Sequence, residues 1–158
     1  GIPLQLEFYK PTDLQKILIL NSKKLKIELD DEAALEIATR SRGTPRIAIR
    51  LLKRIVDFSI VQNKSLINLD IVTNSLKQMQ IDDEGLDEMD RKYLKCIAND
   101  YDGGPVGIET LSATLLEQRD IIEDVIEPYL MQKGLVQRTS RGRILSKKAV
   151  YHLEKEVQ

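Results

Sequence analysis

The sequence predicts a mainly α-helical chain of two small units, the second closed by a short β-hairpin. Three observations predict it. Four stretches before residue 82 place apolar side chains at helical spacing. The stretch Asp82-Asp83-Glu84-Gly85 then interrupts the pattern with acid and glycine. After it come three more helical stripes and a strand–turn–strand pattern over 135–145.

At the N-terminal end, Leu4, Leu6 and Phe8 alternate with polar residues, which suits a short edge strand. Pro11-Thr12 opens a first helix with Leu14, Ile17 and Leu18 on its apolar stripe, and Thr12 with Gln15 has capping-box spacing. A second helix is expected from Asp30 as N-cap through Ala34, Leu35, Ile37 and Ala38, stopping at Gly43. Thr44-Pro45 starts a third, since Thr caps well and Pro suits the first helical position. Ala48, Leu51, Leu52, Ile55 and Val56 form its inward face. Asn63-Lys64 is a turn, and Asn68 caps a fourth helix carrying Ile71, Val72, Leu76 and Met79.

Beyond the acidic stretch, Met89, Tyr93, Leu94 and Ile97 share one helix, broken by the tight turn Gly103-Gly104-Pro105. Leu111 and Leu115 mark a shorter helix. Asp120 with Glu123 has capping-box spacing for the next, which carries Ile122, Val125, Ile126 and Tyr129 and ends at Gly134. Leu135-Val136 and Arg143-Ile144-Leu145 read as strands about a Thr139–Gly142 turn, and Ser146 caps a last helix. Helix, helix, helix, hairpin with a basic tip is the order of a winged helix-turn-helix.

Composition narrows the chemistry. In 158 residues there is one Cys and one His, so an internal disulfide and a zinc site of usual type are excluded. With no export signal visible, a reducing cytoplasm is expected. His152 and Cys96 read as a surface helix residue and a small core residue. No apolar run approaches the ~20 residues of a membrane span. The pattern G-x-x-x-x-G-K-[ST] is absent, so this chain alone is not expected to hydrolyse a nucleotide. It begins at Gly1-Ile2-Pro3 without Met and reads as a piece of something longer.

Net charge is −1, which names no nucleic-acid partner, but the charges are blocked. Arg40 to Arg54 holds six bases and no acid, Asp82 to Asp90 six acids and no base, and Lys133 to Lys148 six bases and no acid. Arg46 falls in the first turn of the third helix, where free amides and the positive dipole end favour an anion. Arg138, Arg141 and Arg143 surround the hairpin tip, where exposed guanidinium groups suit phosphate oxygens. The helix before the hairpin carries Asp120, Glu123, Asp124 and Glu127, which would repel DNA from the major groove. The tip also reads as an ordinary solvated turn; if this module touches DNA, the wing should do it, without much sequence specificity.

Taken in order, Leu6-Glu7-Phe8-Tyr9, the run from Arg40 to Ala48, Asp90-Arg91-Lys92, Gly103-Gly104-Pro105-Val106-Gly107, Ile122 to Leu130 and Arg138 to Arg143 resemble the C-terminal two domains of the RuvB family, bacterial motors of Holliday-junction branch migration. The similarity spans essentially the whole chain. It implies the end of a truncated AAA+ ATPase core over 1–10, a small helical AAA+ lid over 11–83 and a winged-helix DNA-binding domain over 84–158. It implies that Arg46 is the sensor-2 arginine reaching ATP's terminal phosphates and that Tyr9 flanks the adenine. Arg138 and Arg143 would hold the DNA backbone, with Arg141 beside them and Arg119 added to them. The Mg2+ ligands, phosphate loop and arginine finger would lie upstream. Hexameric rings loaded by RuvA, working with RuvC on junction DNA, are the implied assembly. The family often has Pro where this chain has Ser140, which would loosen the wing, and Asn where it has Ile49. The readings that compete are the lid and winged helix of an origin-recognition or clamp-loader ATPase, a non-enzymatic winged-helix regulator, and a protein-interaction module docking the Arg40–Arg54 face.

Overall fold

The computed structural model describes residues 8–63 and 65–157. The strand expected over Leu4–Phe8 lies outside the described residues except for Phe8, which is irregular. The chain divides into two compact units, one ending at Asp87 and one beginning at Glu88.

The first unit contains α1 (Pro11–Lys24), β1 (Glu28–Leu29), α2 (Asp31–Thr39), α3 (Pro45–Val61), β2 (Leu66–Ile67) and α4 (Leu69–Gln78). Its core is aliphatic: Leu14, Leu18, Ile37, Leu52, Ile55 and Leu76 are wholly buried. Thr44 caps α3 by accepting from the Ile47 amide at 3.2 Å, and Asn68 caps α4 by accepting from Ile71 at 3.0 Å, as their positions before each helix imply. The Thr12 capping box does not form. Pro11, with its fixed φ, starts α1 directly after Lys10, so Thr12 is already helical and Gln15 bonds the Asp31 carbonyl instead. Likewise α2 ends at Thr39 rather than Gly43, because Arg42 and Gly43 both take positive φ and turn the chain into α3. A two-residue parallel pairing, Glu28 with Leu66 and Leu29 with Ile67, is an element the periodicity does not announce.

The second unit runs α5 (Glu88–Lys95), a π-helical turn (Cys96–Asp100), α6 (Ile108–Leu115), α7 (Arg119–Ile121), a second π-helical turn (Ile122–Ile126), α8 (Glu127–Gln132), β3 (Val136–Thr139), β4 (Gly142–Leu145) and α9 (Lys147–Val157). From α7 to α8 the helix is continuous, with the π turn directly before Pro128; the wider turn absorbs a residue that cannot donate an amide. Its N-cap is Gln118, not Asp120, and no side chain caps it. Glu123 pairs with Arg119 one turn away, an interaction of opposite charges that draws it from the capping role. Met89 and Val125, expected inward, are exposed, while Tyr93, Leu94, Ile97, Leu111 and Ile122 are buried.

The hairpin pairs Val136 with Leu145 and Thr139 with Gly142, leaving Ser140-Arg141 as a two-residue turn. The Gly103-Gly104-Pro105 turn supports it from one side: Val106 bridges Arg143 by two backbone bonds, and Leu145 donates to the Gly103 carbonyl at 2.9 Å. A Cβ on Gly104 or Gly142 would collide with the backbone of Arg143 or Val106, so both positions need glycine, and both have positive φ. Ser146 caps α9 at the Ala149 amide.

Candidate functional site

In the first unit the residues from Gly43 to Arg46 form an open helix entrance. Arg42 to Pro45 are part-exposed and Arg46 is exposed, with no acidic partner among the described residues. Arg46 stands in the first turn of a 17-residue helix that has no acid there. An unpaired guanidinium beside the positive end of a helix suits an incoming anion. The Tyr9 amide donates to the Gly43 carbonyl at 2.8 Å, and the Tyr9 side chain is 45% exposed. The structure thus brings Tyr9 and the Arg46 helix entrance together, though they are far apart in sequence. The rest of the basic run divides. Arg40 is bound to Glu36 at 2.6 Å and reaches the Ile81 carbonyl, so it serves the fold.

In the second unit the four candidate arginines, three on the wing and Arg119 on α7, part company. Arg141, at the tip, is exposed; only its backbone amide is engaged, by the Thr139 hydroxyl, and no acid pairs with its guanidinium among the described residues. Arg138 is 48% exposed on its side chain and donates one bond to Glu127 at 3.0 Å. Arg143 is turned inward: its side chain is only 8% exposed, and Nε and a terminal nitrogen both donate to Glu127, at 2.8 and 3.1 Å. Arg143, expected to hold the DNA backbone, thus has two of its donors bonded to a carboxylate inside the unit. Arg119 is exposed but held by Glu123 at 2.7 Å and Glu109 at 2.9 Å.

Glu127, one of the four acids the sequence places on this helix, is absent from its surface. It is wholly buried, and it also accepts from the Tyr93 hydroxyl at 2.5 Å. Burial alone would raise its pKa, but bonds from Arg143 and Tyr93 outweigh that and hold the carboxyl below its ordinary value. Burial, and then the bond and charge of Glu127, push the Tyr93 phenol far up. The Glu127 bond raises Arg143. With Glu123 bound to Arg119, the outward acids left on this helix are Asp120 and Asp124, both exposed. Sequence reasoning missed Glu127 and Tyr93 as site residues. The signal available was Glu127 at helical spacing on an apolar stripe, one residue after Ile126.

Among the described residues no cluster of His, Cys, Asp and Glu is placed to hold a metal ion, and no helix is long and apolar enough to cross a membrane. His152 lies part-exposed on α9 and Cys96 is buried in the first π turn, where burial raises its thiol pKa.

A small helical unit followed by a winged helix with a hairpin is the arrangement of an AAA+ lid and a winged-helix domain. Two family models match the chain in this order: the RuvB AAA lid domain over residues 9–82 and the RuvB C-terminal winged helix domain over residues 83–154. The chain belongs to the RuvB family. It is 56% identical over 153 residues to the "Holliday junction branch migration complex subunit RuvB" of Orientia tsutsugamushi strain Ikeda, covering 97% of this chain and 47% of the relative. The protein of the same name from Rickettsia africae is 53% identical, covering 99% of this chain and 46% of the relative. Among solved structures, the Thermotoga maritima RuvB Holliday junction branch migration motor superposes with a TM-score of 0.92 at 49% identity, covering 96% of this chain and 51% of that one. The chain spans about half the length of the relatives it matches.

Proposed function

We propose that this chain is the lid and DNA-gripping part of an ATP-driven motor that moves Holliday junctions during recombination and repair. The observation that carries the reading is that Arg46 and Arg141, both exposed in one chain, have no acidic partner among the described residues. Each stands where a phosphate is favoured: one at a helix entrance, one on a two-residue turn. Residues 1–10 would end the ATPase core, 11–83 form the lid and 84–158 the winged-helix domain.

Arg46 would take the terminal phosphates of ATP, and Tyr9, tethered to Gly43, would lie by the adenine. Arg46 would report whether the terminal phosphate is present, because its favourable charge interaction ends when that phosphate leaves. The residues here fit the phosphate and adenine ends of a nucleotide; Mg2+ and hydrolysis are assigned to the preceding core, so this chain alone should not turn ATP over. Arg141 and Arg138 would meet the phosphate backbone of duplex DNA. Phosphate contacts suit a motor, since every sequence presents them. The outward acids Asp120 and Asp124 disfavour a base-reading regulator, whose recognition helix must approach phosphates. A homo-hexamer, RuvA and RuvC as partners, and a cytoplasmic location complete the reading by family resemblance.

The test is Arg46→Ala in a chain carrying the ATPase core. It should fold normally, lose ATP-driven junction migration and keep duplex binding. Normal migration by that variant would remove Arg46 from the mechanism.

A further inference from the structure

We infer that Glu127 and Tyr93 are positioning residues for nucleic-acid binding: the buried carboxylate ties down the root of the wing and holds the half-exposed Arg138 in one pose, so it sets affinity for duplex without meeting it. The inference rests on the reading of the hairpin as a DNA-gripping wing.

The argument starts from register. Arg138 and Arg143 are directly opposed across the hairpin. Like charges facing each other on one rung repel. Both guanidinium groups turn to one carboxylate, Glu127, which comes from α8 rather than from the hairpin. Tyr93 comes from α5 and donates to the same carboxylate. Three separate pieces of the unit therefore meet at one buried anion, and no buried side-chain polar atom among the described residues is left without a partner.

The two arginines are then used differently. Arg143 commits Nε and a terminal nitrogen inward and is enclosed. Arg138 commits one terminal nitrogen, and its half-exposed side chain keeps other N–H groups for a phosphate. A guanidinium ordered before binding loses less entropy when it meets its target. Glu127 thus spends one cation on anchoring and presents the other in a fixed pose, while Arg141 at the tip stays unheld.

The experiment measures binding of this chain to a short mixed-sequence duplex across a salt series, for the wild type and for Tyr93→Phe, Arg143→Lys, Arg138→Ala and Arg141→Ala. Each variant is measured at a temperature where it is fully folded by circular dichroism. Tyr93→Phe removes one bond to Glu127 and no charge. It should weaken binding about fivefold, a fraction of what a hydrogen bond to a charged group is worth, at an unchanged salt slope. Arg143→Lys keeps the charge but loses the fork, and should act the same way. Hydrogen exchange at the Thr139–Arg143 amides should quicken in both. Arg138→Ala and Arg141→Ala should instead lower the salt slope by about 0.9 each, one phosphate apiece.

Wild-type affinity for folded Tyr93→Phe and Arg143→Lys, with a reduced slope for Arg141→Ala, would overturn the positioning role and leave the wing reading standing. Unchanged slopes for both Arg138→Ala and Arg141→Ala would overturn the wing reading and the positioning role together. A lower melting temperature with no change in affinity counts as purely structural support and also overturns the inference.

Discussion

Single residues decide which positive charges are available. Six bases with no acid lie between Lys133 and Lys148, yet Arg143 is enclosed by Glu127 while Arg141 stands open. The difference is one of neutralisation, since burying a guanidinium requires a carboxylate on top of it. The same pairing makes stability depend on pH. Glu127 is held below its ordinary 4.5 by Arg143 and Tyr93, so on acidification the unfolded chain takes up its proton first. The stabilisation is therefore full above about pH 4.5 and is lost as pH falls through the folded value. Urea midpoints measured from pH 6 to pH 3 should fall accordingly. Glu127→Gln should flatten that dependence and cost about 3–5 kcal/mol at neutral pH, because it strands Arg143 inside the protein.

Within the elements, caps and turns follow local chemistry closely. Thr44 and Asn68 each satisfy an amide at the start of their helix. Replacing either by Ala should cost about 1 kcal/mol in chemical denaturation, with no change in duplex affinity. Thr12 and Asp120 have capping-box spacing but cap nothing, because the helices start two positions earlier, with Lys10 and Gln118 as N-caps. Capping motifs are local, but the start of a helix is shared between a fixed φ, neighbouring charge and packing. In the wing, Gly104 carries the tightest constraint. Gly104→Ala should destabilise the second unit and loosen the hairpin it supports, seen as faster amide exchange at Arg143 and Leu145, whose amides bond Val106 and Gly103.

Across the whole molecule there are two units, each with its own buried side chains. Leu52 is wholly buried in the first. Leu52→Ala should cost about 2–5 kcal/mol there, through lost burial and the cavity left behind. Amide protection in residues 88–158 should be unchanged, and uniform loss across both units would show that the chain unfolds as one. The sequence alone carried the helical periodicity, the order of the units, the caps at Thr44, Asn68 and Ser146 and the strand–turn–strand of the wing, because each rests on contacts between residues close along the chain. It also carried the candidate arginines as a set. Only the tertiary structure decided which of them are spent. It joined Tyr9 to Gly43, buried Glu127 under Tyr93 and Arg143, and left Arg46 and Arg141 facing out. A charge is available or neutralised according to what lies near it in space, and residues as distant in sequence as Tyr93 and Glu127 meet only once the helices have packed.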